Sequence, residues 1–161
     1  MAHNLAYLKD GRAAAFYGNS VSGWHGLGTV IGDAADREEA KRLMDARPYH
    51  KVDAFAASIM EPGSLNAAPG FSAIIRDGLE DVVAFVGADF AIHQPDDLFD
   101  TMDPAADAMG GYDTGFFLDS YRGMALTVRI DDIEPIIGDV TRIWFTGYTR
   151  FDGHGSTSFY N

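Results

Sequence analysis

The residues best placed to do chemistry are Trp24 and His25, set among glycines in Gly23-Trp24-His25-Gly26-Leu27-Gly28-Thr29. Such a segment must bend tightly while presenting two large side chains. An imidazole there titrates near neutrality and suits a general base or a ligand pocket. The alternative is structural, with Trp24 as a core anchor and His25 bonded to a carbonyl. Gly26-Leu27-Gly28-Thr29 superficially resembles a phosphate loop, but it lacks the lysine of a nucleotide-binding loop and the full dinucleotide glycine pattern. His3, His25, His50, His93 and His154 stand singly, with no spacing that would place two on one zinc ion. Asp152 and His154 flank Gly153, which fits a polar turn better than a proton relay. No nucleophile elbow is present, and the chain has no cysteine. No cofactor, no metal site and no catalytic residue set is expected, and a non-enzymatic role is favoured.

The second feature is charge. Asp and Glu number 24 against 12 Lys and Arg, for a formal net charge of −12. Between Arg76 and Arg122 there is no basic residue other than His93. That window carries Asp96, Asp97, Asp100, Asp103 and Asp107 on one expected helix. Nucleic-acid affinity comes mainly from Lys and Arg, so DNA and RNA are poor partners for this surface. A basic protein surface fits it, and a solvated acidic face is the plain alternative. The one basic cluster that could serve nucleic acid is Arg37, Lys41, Arg42, Arg47 and Lys51.

These residues have to be positioned by a fold. A length of 161 residues, 47% hydrophobic and 12% aromatic, suits one domain, 1–161, able to bury roughly 70% of its unfolded surface. No apolar run approaches the roughly 20 residues that span a bilayer, and the N-terminus lacks the pattern of a secretory signal. A location in the host cytoplasm, with virion association as a variant, is the expectation. Asp33 can cap a helix over 34–46, stopped by Arg47-Pro48. Tyr49 to Met60 reads as a strand. Residues 61–70, with two Pro and two Gly, read as a flexible loop. Phe71–Arg76 and Val82–Val86 form a hairpin about Asp77-Gly78. Phe90–His93 reads as a short strand. Pro95 starts a second helix, which Pro104 should kink or split and Gly110-Gly111 should end. A second hairpin joins 112–118 to 124–130, and a last strand covers 141–148. A glycine-rich loop over 18–32 and a tail over 150–161 complete the chain. The expected class is α+β: a mainly antiparallel sheet of about six strands built from hairpins, with two helices packed on it.

Met1-Ala2-His3-Asn4, followed by Trp24-His25-Gly26-Leu27-Gly28-Thr29 and a short helix, resembles the start of a family of phage- and plasmid-borne proteins of undefined function. Val83 to Gln94, Gly111-Tyr112-Asp113-Thr114-Gly115, Met124 to Val128, and Trp144 to Tyr148 with Asp152 to Ser156 are similar to later family segments. Members of that family run on further, so this chain looks like a shortened one. The resemblance implies mobile-element origin and carries no agreed chemistry. Three roles follow as expectations. The first is a protein that binds a host protein through the acidic surface, for example in counter-defence. The second is a DNA-transaction accessory factor in annealing or replication. The third is a virion or assembly component. Self-association is open in each.

Overall fold

The computed structural model describes residues 4–18, 27–58, 60–79 and 81–161, except the side chains of Pro135 and Asp139. Trp24, His25 and Gly26 lie outside the described residues. The elements run β1 (Ala15–Tyr17), β2 (Thr29–Val30), α1 (Arg37–Met44), β3 (Tyr49–Ala57), β4 (Leu65–Arg76), β5 (Val82–Gly87), α2 (Pro95–Met109), β6 (Thr114–Leu118), β7 (Gly123–Ile136), β8 (Asp139–Arg150) and β9 (Ser158–Tyr160). A large sheet has the order β2-β1-β6-β7-β8-β9, and a small one has the order β3-β4-β5. Every pairing is antiparallel except that of β1 with β2. The α+β class holds, with nine strands among the described residues rather than about six.

The helices are set by their ends. α1 begins later than the sequence suggests, because Asp36 and not Asp33 supplies the cap: its carboxylate accepts from the Glu39 N–H at 2.8 Å. α2 starts at Pro95, whose missing N–H costs nothing at the first turn. Gln94 and Asp97 close a reciprocal cap, with the Gln94 N–H donating to the Asp97 carboxylate at 2.7 Å. Pro104 neither splits nor ends this helix. It is exposed, so the carbonyl one turn back loses its donor on the side open to solvent. Gly110, at φ 89°, stops the helix as expected.

Two loop expectations are overturned. Leu65–Gly70 belongs to β4, so only the short connection before it is a loop. Pro69 and Gly70 are tolerated there because the β3–β4 register shifts between Asp53 and Phe55, opposite these residues. Phe90–His93 is not a strand, and the tail contains β9, paired with β8.

The main core lies on one face of the large sheet. Phe16, Phe117, Met124, Leu126 and Val128 point into it, and Leu43 and Met44 of α1 and Leu98, Phe99 and Met102 of α2 cover it. On the opposite face, Leu5, Ala13, Ala15 and Tyr17 form a smaller cluster with Leu27, Phe116 and Leu118. β1 alternates between the two, with Phe16 inward and its neighbours outward.

The small sheet is fastened to the large one by aromatic and charged groups. Tyr49 stacks on Phe151 with centroids 4.3 Å apart, and its hydroxyl donates to the Tyr121 carbonyl at 2.6 Å. The Arg76 guanidinium lies 4.0 Å from the Tyr121 ring centre and 5.7 Å from that of Phe117. Arg122 donates to the Val83 carbonyl at 2.9 Å. Tyr121 ends a turn in which Asp119, Ser120 and Tyr121 all have positive φ. Such backbone persists only when its surroundings fix it. Asn4 helps to do so, exchanging bonds with Asp119 through its side chain (2.9 Å) and its carbonyl (2.6 Å).

Candidate functional site

The acidic helix is not bare. Asp96, Asp100 and Asp103 recur about one turn apart on α2, and α1 lays Arg37 against them. The Arg37 guanidinium meets Asp100 and Asp103 at 2.6 Å each and Asp96 at 3.1 Å. Lys41, one turn further along α1, meets Asp96 at 2.7 Å. Burial opposes the charge on Arg37, but the three carboxylates outweigh it and hold the group more firmly protonated. Asp103 also accepts from the Tyr112 hydroxyl at 2.5 Å. Burial first, and Asp103 second, push the Tyr112 pKa well above its ordinary value. Asp97 serves the helix cap, and Asp107 is exposed further along the helix. The five acids therefore divide. Three are clamped by α1, one caps, and Asp107 faces solvent.

The cluster read as a basic patch is engaged by the chain itself. Arg42 meets Glu39 at 3.6 Å, and Arg47 meets Asp45 at 2.7 Å. Lys51 donates to the Ala88 carbonyl at 2.7 Å. With Arg37 and Lys41 held by α2, all five cations have internal partners. Sequence reasoning missed this because the partners of Arg37 lie about sixty residues away along the chain.

A cleft of about 560 Å³ opens beside these helices, lined by Gly18, Gly32, Asp33, Asp113, Arg129 and Asp131 among others. Asp113 is buried and accepts from the Trp144 indole N–H at 3.0 Å. Gly18 approaches Asp113 so closely that a Cβ there would fall 2.7 Å from its carboxylate oxygen. Gly18, which follows β1, lines this cleft, and the described chain resumes at Leu27 and Gly28. Gly28 has φ 99°, and Thr29 opens β2 beside Phe16. Among the described residues, His, Asp and Glu form no group of three that could hold a metal ion. No described helix is long and apolar enough to cross a membrane.

Asp152 and His154 form a turn. Asp152 is buried and takes Arg150 through both carboxylate oxygens, at 3.0 and 2.5 Å, and its Oδ1 accepts the backbone N–H of His154 at 3.0 Å. Burial raises the Asp152 pKa, but Arg150 and the His154 N–H outweigh it and bring the carboxyl below its ordinary value. Asp96 is lowered in the same sense, its burial outweighed by Lys41 and Arg37. Both groups are ionised in the folded state and bind protons more readily unfolded. Their stabilisation is complete above about pH 4 and is lost as pH falls through the lowered folded values. The melting temperature should therefore fall as the pH drops below about 4. Asp152→Asn should start lower and fall less over that range. Parallel curves for the two proteins would show that Asp152 plays no part in the acid loss.

Compared with family models, curated proteins and solved structures, the chain matches none.

Proposed function

We propose that this is a non-enzymatic binding protein of phage or other mobile-element origin that engages a host protein through its acidic surface. Counter-defence is the role in view, exercised in the host cytoplasm. The observation that carries the reading is the acid excess left after internal pairing. α2 holds five Asp and no Lys or Arg, and among the described residues only Arg37 and Lys41 form ion pairs with them. Glu38, on α1 beside Arg37, and Asp107 on α2 are exposed. Asp33 and Asp131 add charge at the neighbouring cleft. A surface of this sign steers basic partners and repels phosphates.

The clamp changes how the surface must be probed. Reversing Asp96, Asp100 or Asp103 would strand Arg37 and disturb the α1–α2 contact, and reversing Asp97 would remove a cap. Glu38 and Asp107 can be reversed without either cost. The test is a nuclease-treated pull-down from host lysate with the tagged protein, paired with binding to a single-stranded oligonucleotide at low salt. A stoichiometric host protein with no oligonucleotide binding is the expected result. Salt-steep oligonucleotide binding would instead support the DNA-transaction role.

A further inference from the structure

We infer that the outer face of the small sheet is the contact surface for a second copy of this chain. The register places Val52, Ala73 and Phe85 in one cross-strand row and His50, Ile75 and Val82 in the next, with Phe71 opposite Gly87 beyond them. The other face of the sheet carries Ile74, Arg76 and Val86 into the interior, so this row set is the one turned outward. Phe71 and Phe85 are 60% and 62% exposed, and Val52 and Val82 are also exposed. Beyond the register shift, Phe55 and Leu65 share one face of the hairpin, and both stand in solvent. At 40–69% exposure the six large apolar side chains together present roughly 600 Å², the upper end of the largest patch usual on a monomer and most of the roughly 800 Å² that each partner contributes to a standard stable interface.

Two features favour a second copy as the occupant. The first is charge. A chain of net charge −12 repels itself over most of its surface and can approach a twin only through neutral ground. No charged residue occurs between Glu61 and Arg76 or from Val82 to Ala88. His50 stands at the rim, 3.0 Å from Asp77. The second is shape. The projecting Phe71 and Phe85 rings stand beside Gly87, where no atom lies within 4 Å of the place a Cβ would take, while Ala73 between the rings is already covered by them. A two-fold axis through such a face would set each copy's rings into the other's hollows, the arrangement an isologous dimer requires.

The test is sedimentation velocity at about 100 μM, with the apolar tip of the β7–β8 hairpin as control. The wild type should sediment as a dimer of twice its 17.5 kDa mass. Phe71→Asp/Phe85→Asp should weaken dimerisation at least about 100-fold while keeping its circular dichroism, because both rings are exposed in the single chain. Ile137→Asp, on the β7–β8 tip, should leave the dimer intact. A wild-type monomer at that concentration overturns the inference. So does a dimer that survives the double substitution, or a monomer that binds neutral phosphatidylcholine vesicles through these rings. None of these outcomes touches the acidic-surface reading, which rests on charged residues of α1 and α2.

Discussion

Replacing Arg76 with alanine is expected to cost about 4 kcal/mol of folding stability, among the largest effects of any single substitution in this chain. Arg76 is 2% exposed and is among the bulkiest of the fully buried side chains of the described residues. Its guanidinium spans the junction between the sheets, between the Tyr121 ring and the carboxylate of Asp45, which it meets at 3.1 Å. Asp45 adopts a left-handed conformation at the end of α1, and its backbone carbonyl also accepts from Arg76. Alanine would leave a cavity beneath Tyr121 and Phe117 and remove both bonds to Asp45 at once. The charge is the smaller part of the loss, because Asp45 would keep Arg47 at 2.7 Å. Arg76→Met should therefore recover most of the stability, as is common when a buried ion pair gives way to an apolar chain of similar volume. Urea titration of the two variants checks this. If methionine fares no better than alanine, the charge and not the packing holds the junction.

Gly28→Ala is expected to cost about 3 kcal/mol. Two effects add. Gly28 has φ 99°, where an L side chain is strained, and its Cβ would fall 2.6 Å from the Tyr17 ring and 2.9 Å from the Ala15 carbonyl oxygen. Tyr17 is buried in the smaller cluster and Ala15 is fixed in β1, so neither can move cheaply. Gly11 offers the control, with φ 84° and nothing within 4 Å of its Cβ position. Gly11→Ala should cost only about 1 kcal/mol, the backbone share of the effect. Equal losses at the two sites, read by thermal or urea unfolding, would mean that the close approach to β1 contributes nothing. The glycine-rich segment thus has a packing role at its C-terminal end, and Asn4 has one at the turn before β7.

Much of the architecture was legible in local sequence. Asp77-Gly78 marks the β4–β5 turn, Pro95 and Gly110 bound α2, and the apolar runs of β6 and β7 announce a hairpin. These signals work because turn and cap chemistry is decided by a few adjacent residues. The failures have equally local causes. β1, β2 and β9 are two or three residues long, too short to show alternation, and they exist because tertiary pairing holds them. Pro69 and Gly70 disguised half of β4 as a loop, and only the register shift opposite them makes a strand there feasible. The candidate site was half legible. The run of Asp on α2 is plain in the sequence, whereas the pairing of three of these acids with Arg37 depends on how α1 crosses the helix.

The acidic-surface reading is tested most directly by comparing the wild type with Glu38→Lys/Asp107→Lys as baits in one nuclease-treated host lysate. Both substitutions lie at exposed positions outside the Arg37 clamp, so the fold and the α1–α2 contact should be preserved. The expected result is a host protein held by the wild type and retained at least about tenfold less by the variant, the scale expected when two charges at a steered interface change sign. Equal retention by both baits would contradict the acidic surface as the binding site.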